Sequence, residues 1–202
     1  MPIGVPKVPF LIPGDDEGTW VDVYNILYRQ RILFISGEIS GEAANQIMGI
    51  IVYLTIEDNT KKQNLLVNSH GGSVPGGLSI YDMMQSVKPQ IHTTALGGVA
   101  SMASLILVGG RTTKRTAFPH ARVMIHQPAT GFFMAPAGDL AMEVGLMREI
   151  REIITRIYAV KTGKPFAVIW ADMERDLFMS ATEAKAYGII DFVEDYRIID
   201  FV

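Results

Sequence analysis

The chain has no cysteine. Disulfides, thiolate metal sites, iron–sulfur clusters and cysteine nucleophiles are therefore excluded together, and the composition is compatible with a reducing compartment. A charge excess is missing too. The formal net charge is −3 over 202 residues, which gives no electrostatic footprint for a nucleic-acid backbone. Long apolar runs are also lacking: the most apolar stretches, Ile47–Ile56 and Gly97–Gly110, span 10 and 14 residues, against the ~20 needed to cross a bilayer. Among the four histidines, His70, His92, His120 and His126, no HExxH or His-x-His spacing occurs, so no metal site is expected. Phosphate-binding GxxxxGK[ST] is missing, and Gly71-Gly72-Ser73-Val74-Pro75-Gly76-Gly77 does not match the dinucleotide fingerprint. No nucleotide or other cofactor is expected to bind this chain.

What is present is hydrophobicity. Residues of apolar type make up 49% of the chain and mean hydropathy is +0.23, high for a protein without a spanning segment. The excess points to apolar surface hidden against partners. The length suits one domain. Residues 1–18, rich in proline and glycine, read as a flexible arm without regular packing. They resemble neither a secretory signal nor an Arg/Ser-rich transit peptide.

Beyond the arm, strand and helix signals alternate. Ile32–Ile35, Leu65–Val67, Ile91–Leu96, Arg122–Ile125 and Ile189–Glu194 read as short buried strands. Helical spacing appears in Glu42–Leu54 (Ala43, Ile47, Ile50, Ile51, Leu54), Leu78–Val87 and Ser101–Val108. The longest periodic segment, Asp139–Lys161, carries Leu140, Val144, Met147, Ile150, Ile153, Ile154 and Ile157 on one stripe. It closes on Lys161-Thr162-Gly163-Lys164-Pro165, a helix C-terminus. Ser180-Ala181-Thr182-Glu183 is a capping box opening a short helix. The alternation predicts an α/β domain of βαβ crossovers with one protruding helix.

With thiols and metals excluded, hydrolytic chemistry would need a hydroxyl nucleophile, a base and an orienting carboxylate. Ser101 follows small residues at a strand-to-helix turn, where free N–H groups and the helix dipole favour an oxyanion. From spacing alone the favoured reading is a helix N-cap. His126 ends a parallel-type strand, where α/β crevices open; it is also an ordinary loop histidine. Asp176 lies in Met173–Phe178, which by itself reads as an exposed charged turn between helices. Asn68-Ser69-His70-Gly71-Gly72 could supply backbone donors through its glycines, or form a plain turn.

In combination these segments say more. Asn68-Ser69-x-Gly71-Gly72-Ser73-Val74, Ala100-Ser101-Met102, Met124-Ile125-His126-Gln127-Pro128 and Glu174-Arg175-Asp176-x-Phe178-Met179-Ser180-Ala181-x-Glu183-Ala184 occur in this order. Together they closely resemble the proteolytic subunits of the Clp protease (ClpP), a family of serine peptidases, over nearly the whole chain. The opening, Met1 to Phe10, resembles the plastid-encoded and cyanobacterial branch. The resemblance implies a ClpP/crotonase-like α/β fold of repeated β-β-α (βαβ) units with a protruding handle helix. It divides the chain into an axial-loop arm at 1–18, one peptidase domain at 19–195 including a handle at 131–162, and a tail at 196–202.

It further implies Ser101 as nucleophile, His126 as general base, Asp176 as orienting carboxylate, and the backbone amides of Gly72 and Met102 as oxyanion hole. Glu174 and Arg175 would pair across the ring interface. The implied assembly is two stacked seven-membered rings, shared with other ClpP-type and related inactive subunits and enclosing the sites. A hexameric AAA+ unfoldase would consume the ATP and feed in unfolded proteins. The implied compartment is the plastid stroma, with the cyanobacterial cytoplasm as the alternative. Three departures stand out. His70 replaces a usual proline, which would loosen the oxyanion loop. Pro136 lies in the handle strand, 131–138, and removes a ladder donor. Leu66 replaces a tyrosine of the unfoldase-docking cleft. The alternative function is a mainly structural, weakly active ring subunit; a third, an acyl-CoA hydratase or isomerase on the same superfold, conflicts with the complete triad.

Overall fold

The computed structural model of the protein describes residues 4–11, 18–131 and 134–194. The chain begins with β1 (Lys7–Phe10), β2 (Thr19–Asp22), α1 (Val23–Arg29) and β3 (Ile32–Ile39). Then come α2 (Gly41–Glu57), β4 (Gln63–Gly72), α3 (Val74–Ser86), β5 (Ile91–Ala100) and α4 (Met102–Gly109). The remainder is β6 (Arg115–Ala117), β7 (Arg122–Ile125), α5 (Ala137–Thr162), α6 (Phe166–Asp172), β8 (Leu177–Ser180), α7 (Ala181–Tyr187) and β9 (Phe192–Val193).

Five parallel strands lie in the order β3-β4-β5-β6-β9. Parallel neighbours require crossovers, and α2, α3 and α4 supply the first three. The α/β architecture with its long helix is the one expected. β5 outlasts β6. Its first half pairs with β6 through Thr93–Ala95, and its second half pairs with β7 through Gly98–Ala100. β7 then takes β8 as an antiparallel partner. This branching sheet carries the functional site.

The centre of the core is α4, buried along its whole length, as a helix apolar all round must be. It accounts for the apolar stretch that ends at Gly109-Gly110. α2 is capped by the Ser40 side chain, which accepts from the Ala43 amide at 3.1 Å, and buries Ala44, Ile47, Ile51 and Leu54. Ala44 thus takes the inward place expected of Ala43. The capping box at Ser180 and Glu183 forms as the sequence indicates, and Gly163 ends α5 in the left-handed conformation at φ 75°.

Several expectations are corrected. Residues 7–10 of the arm form a strand paired antiparallel with Thr19–Asp22; Pro9 is tolerated because a two-stranded ribbon has free edges. The other expected arm residues at 1–3 and 12–17, and the tail at 196–202, lie outside the described residues. The last strand is Phe192–Val193 only; Ile189 and Ile190 instead pack in the core after the Gly188 turn. The segment after Asp176 is not a turn between helices but the strand β8. Residues 134–136 carry no strand, and Pro136 is the N-cap of α5, in keeping with the donor it lacks. Phe132 and Phe133 lie outside the described residues.

Candidate active site

The site follows from strand register. β5 and β7 run parallel, with Ala100 opposite Met124, and the Ser101 amide continues the pairing by donating to the Met124 carbonyl at 3.0 Å. β7 and β8 run antiparallel, with Ile125 opposite Leu177. One step beyond that last pair, His126 and Asp176 meet. The Ser101 hydroxyl lies 2.9 Å from His126 Nε2, and His126 Nδ1 lies 3.0 Å from an Asp176 carboxylate oxygen. A carboxylate can only accept, so this chain of contacts puts the proton on Nδ1 and leaves Nε2 to accept from the serine. The three residues singled out in the sequence are brought together at the mouths of two parallel strands.

Ser101 is not a capped helix start. It precedes α4 with φ 56° and makes no side-chain cap bond. A non-glycine residue held there stores ~1–3 kcal/mol of backbone strain. The strain aims the hydroxyl out of the strand-to-helix turn and toward His126, in the manner of a nucleophile elbow. The amides of Met102 and Ala103, the first two of α4, have no intrahelical acceptor.

The Asn68–Gly72 segment is the end of β4 rather than a loose turn. Ser69 donates its hydroxyl to the Gly37 carbonyl and accepts from the Gly71 amide. Asn68 accepts from the Gly98 amide at 3.2 Å. Gly71 adopts φ 100°, and a Cβ there would sit 2.7 Å from the Ser101 Cβ; only glycine lets this backbone approach Ser101. Gly72 follows at φ 149°, where a Cβ would strike the Ile39 backbone at 2.6 Å. His70 points out as an exposed residue, and the loop reaches this geometry without a proline.

A group that sequence reasoning passed over surrounds the triad. The Gln127 amide donates to the Met173 carbonyl at 2.7 Å and its side chain to the Glu174 carbonyl at 3.2 Å. Arg151 of α5 donates to Gln127 Oε1, to the Trp170 carbonyl and to Glu174 at 2.7, 2.9 and 2.7 Å. Glu174 therefore has an ion-pair partner within its own chain. Arg175 is exposed. On the other side, Tyr158 is fully buried and shares a 2.7 Å hydrogen bond with Ser104, whose hydroxyl reaches the Ser101 carbonyl at 2.6 Å. Burial pushes the Tyr158 phenol well above its usual range, with the Ser104 bond opposing. The signal that could have revealed Arg151 is a cation set among Met147, Ile150 and Ile154 at helical spacing.

Side chains of the triad are open to solvent, His126 at 27% and Asp176 at 58% exposure. A cleft of about 740 Å³ between the hairpin, α1 and α2 contains none of them. Among the described residues no cluster of His, Asp and Glu could hold a metal, and no helix is long and apolar enough to cross a membrane.

Residues 14–197 match the family model described as Clp protease. The chain belongs to the Clp protease family. It is 58% identical over 193 residues to the ATP-dependent Clp protease proteolytic subunit of Nicotiana tabacum, covering 96% of this chain and 98% of the relative. The same-named proteins of Triticum aestivum and Lactuca sativa are 57% identical over 198 residues and 56% over 193. Coverage is 98% of this chain and 92% of the wheat protein, and 96% and 98% for the lettuce pair. The serine-peptidase class and the proteolytic-subunit function expected from the sequence hold for this Clp family member.

Proposed function

We propose that Ser101, His126 and Asp176 form the catalytic triad of a serine endopeptidase subunit that cuts unfolded proteins to short peptides. The observation that carries this is the unbroken contact chain Ser101–His126–Asp176 at 2.9 and 3.0 Å. His126 Nε2 takes the serine proton as Oγ adds to the peptide carbonyl carbon. The Gly72 and Met102 amides hold the oxyanion, each contributing roughly 3–4 kcal/mol by analogy with measured donors. His126 then protonates the leaving amine, and an acyl-serine remains. Water deprotonated by His126 attacks the ester, and the proton returns to Oγ as the second product leaves. Asp176 accepts from Nδ1–H throughout and steadies the imidazolium. No cofactor takes part in these steps.

The solvent-open triad needs a surrounding wall to sequester an unfolded substrate. Family membership supports two stacked seven-membered rings, composed of this and related subunits, as that wall. The exposed Leu140, Val144 and Leu146 of α5 support a handle between rings, with Arg175 at the interface. Glu174, paired with Arg151, contributes to that interface through its neighbour. An AAA+ unfoldase hydrolysing ATP supplies the substrate, and the plant relatives support the plastid stroma as the compartment. The assembled contact chain favours an active subunit over a mainly structural one.

A fluorophosphonate probe applied to the assembled particle is expected to label Ser101, and Ser101→Ala to abolish labelling and lower peptide hydrolysis by at least about 10³-fold. An intact particle that does not label would support the structural role instead.

A further inference from the structure

We infer that Arg151 is a positioning residue for peptide hydrolysis, fixing His126 and Asp176 relative to each other from the buried half of α5. The inference rests on the triad reading above. Arg151 binds both segments that carry the base and its carboxylate. One guanidinium nitrogen, Nη1, donates to Gln127 Oε1 at 2.7 Å, next in sequence to His126. The other, Nη2, donates to Glu174 at 2.7 Å and to the Trp170 carbonyl at 2.9 Å, two residues before Asp176 and at the end of α6. The guanidinium carbon also lies over the Trp170 ring, 3.9 Å from its centroid, and the Arg151 side chain is only 14% exposed.

Gln127 closes the circuit. Its backbone amide binds the Met173 carbonyl and its side-chain amide the Glu174 carbonyl, while its side-chain oxygen receives Arg151. The β7–β8 ladder ends at Ile125 and Leu177, so strand pairing does not itself hold the next residues on either strand. His126 and Asp176 are those residues. The Arg151–Gln127–Glu174 circuit holds the two segments together where the ladder stops.

A plain structural tie of α5 to α6 would need only the contacts with Glu174 and Trp170. The contact with Gln127 adds nothing to that tie, but it fixes the backbone beside the base. Planar, five-donor geometry suits arginine to three acceptors at once, whereas lysine presents a point charge. The Nε of Arg151 is buried without a partner, a cost that the three-acceptor grip outweighs. The same helix face continues to Thr155, buried against Met173, and to Tyr158 behind Ser104 and the Ser101 carbonyl. One stripe of α5 thus backs all three members of the triad.

The test uses the full chain in its assembled particle, with a short fluorogenic peptide and a fluorophosphonate as probes. Arg151→Ala is expected to lower kcat and the labelling rate per assembled site about 10- to 100-fold, the scale of a misplaced catalytic group, with KM changed less than about twofold. Millimolar guanidinium should restore part of the labelling rate in Arg151→Ala and none in Ser101→Ala. Gln127→Met leaves the Glu174 and Trp170 contacts in place and guards against a variant that fails to assemble; it is expected to lower kcat several-fold. Unchanged kcat per site in Gln127→Met, or in assembled Arg151→Ala, would overturn the inference while labelling still depended on Ser101. Labelling that survived Ser101→Ala would overturn the triad reading and this inference with it.

Discussion

Residues 139–149 and 150–162 belong to one helix, and both carry apolar side chains at helical spacing. The first half turns Leu140, Val144 and Leu146 to solvent at 39%, 69% and 50% exposure, whereas the second buries Ile154, Thr155 and Tyr158. The buried half rests on α4 and the segments that carry the site; the exposed half leaves the domain. Hydrophobic period therefore identifies which face of a helix is to be covered, but not what covers it. The difference also divides the helix: one half belongs to the chain's own core and site geometry, and the other presents apolar side chains that the chain itself does not cover.

The division can be broken first at Tyr158. Truncation in Tyr158→Ala is expected to cost about 3–5 kcal/mol, the range for large aromatics removed from a core, measured by denaturant unfolding. A loss below about 1 kcal/mol would mean the buried half is not integral to the core.

Next comes the anchor at the end of the same half. Arg115, 4% exposed, binds the Asp191 carboxylate at 2.7 Å and the Lys161 carbonyl at 3.1 Å. Asp191→Ala leaves a buried cation unpaired and should cost about 3 kcal/mol. Burial pushes the Asp191 carboxyl up, but hydrogen bonds from the Arg115 side chain and backbone outweigh it and hold the group below its usual range. A carboxyl depressed in the folded state contributes stability that is present above its unfolded pKa, about 3.9. That contribution is lost as pH falls through the lower folded value. Unfolding free energy should therefore drop on acidification below about pH 4, and Asp191→Ala should flatten that part of the profile.

A smaller effect is expected at Gly163, where α5 ends with φ 75° and a Cβ would meet open space. Gly163→Ala should cost about 1–2 kcal/mol by backbone conformation alone, read as a lowered thermal midpoint with activity per particle intact. The smallest effect on the chain itself is expected from Val144→Asp in the exposed half, within about 0.5 kcal/mol. The same variant should shift the native particle to lower mass, measured by sedimentation. If Val144→Asp destabilised the chain as much as Gly163→Ala, the contrast between the halves would fail.

The site was legible only from its segments taken together and from the family they resemble, because each alone reads as a cap, a loop histidine or a turn. Small residues around Ser101, the glycines after Asn68-Ser69 and the strand leading into His126 all correspond to features of the structure. Asp176 was legible as the carboxylate that orients His126 only through the family resemblance, since fifty residues separate the two. β8 was missed because Leu177–Ser180 contains no β-branched residue, the enrichment that marks a short strand. The strand at Lys7–Phe10 was hidden by its proline, which a two-stranded ribbon tolerates at its edge. Arg151 was invisible as a functional residue because a single charge on a helix normally faces water; here Gln127, Trp170 and Glu174 give it partners.

By itself the sequence determined the chemistry excluded and the local shapes: no thiol chemistry in the absence of cysteine, the α/β alternation, the cap of α7, and the glycine stop of α5. These depend on contacts within a few residues or on what side chains can do at all. Tertiary structure alone decided the pairing of β7 with β5 and β8, which turns three distant residues into one site, and the grip of Arg151 around it. It also decided which half of α5 the domain covers. Register between remote strands is set by the packing of the whole sheet and core, and no single segment carries that information.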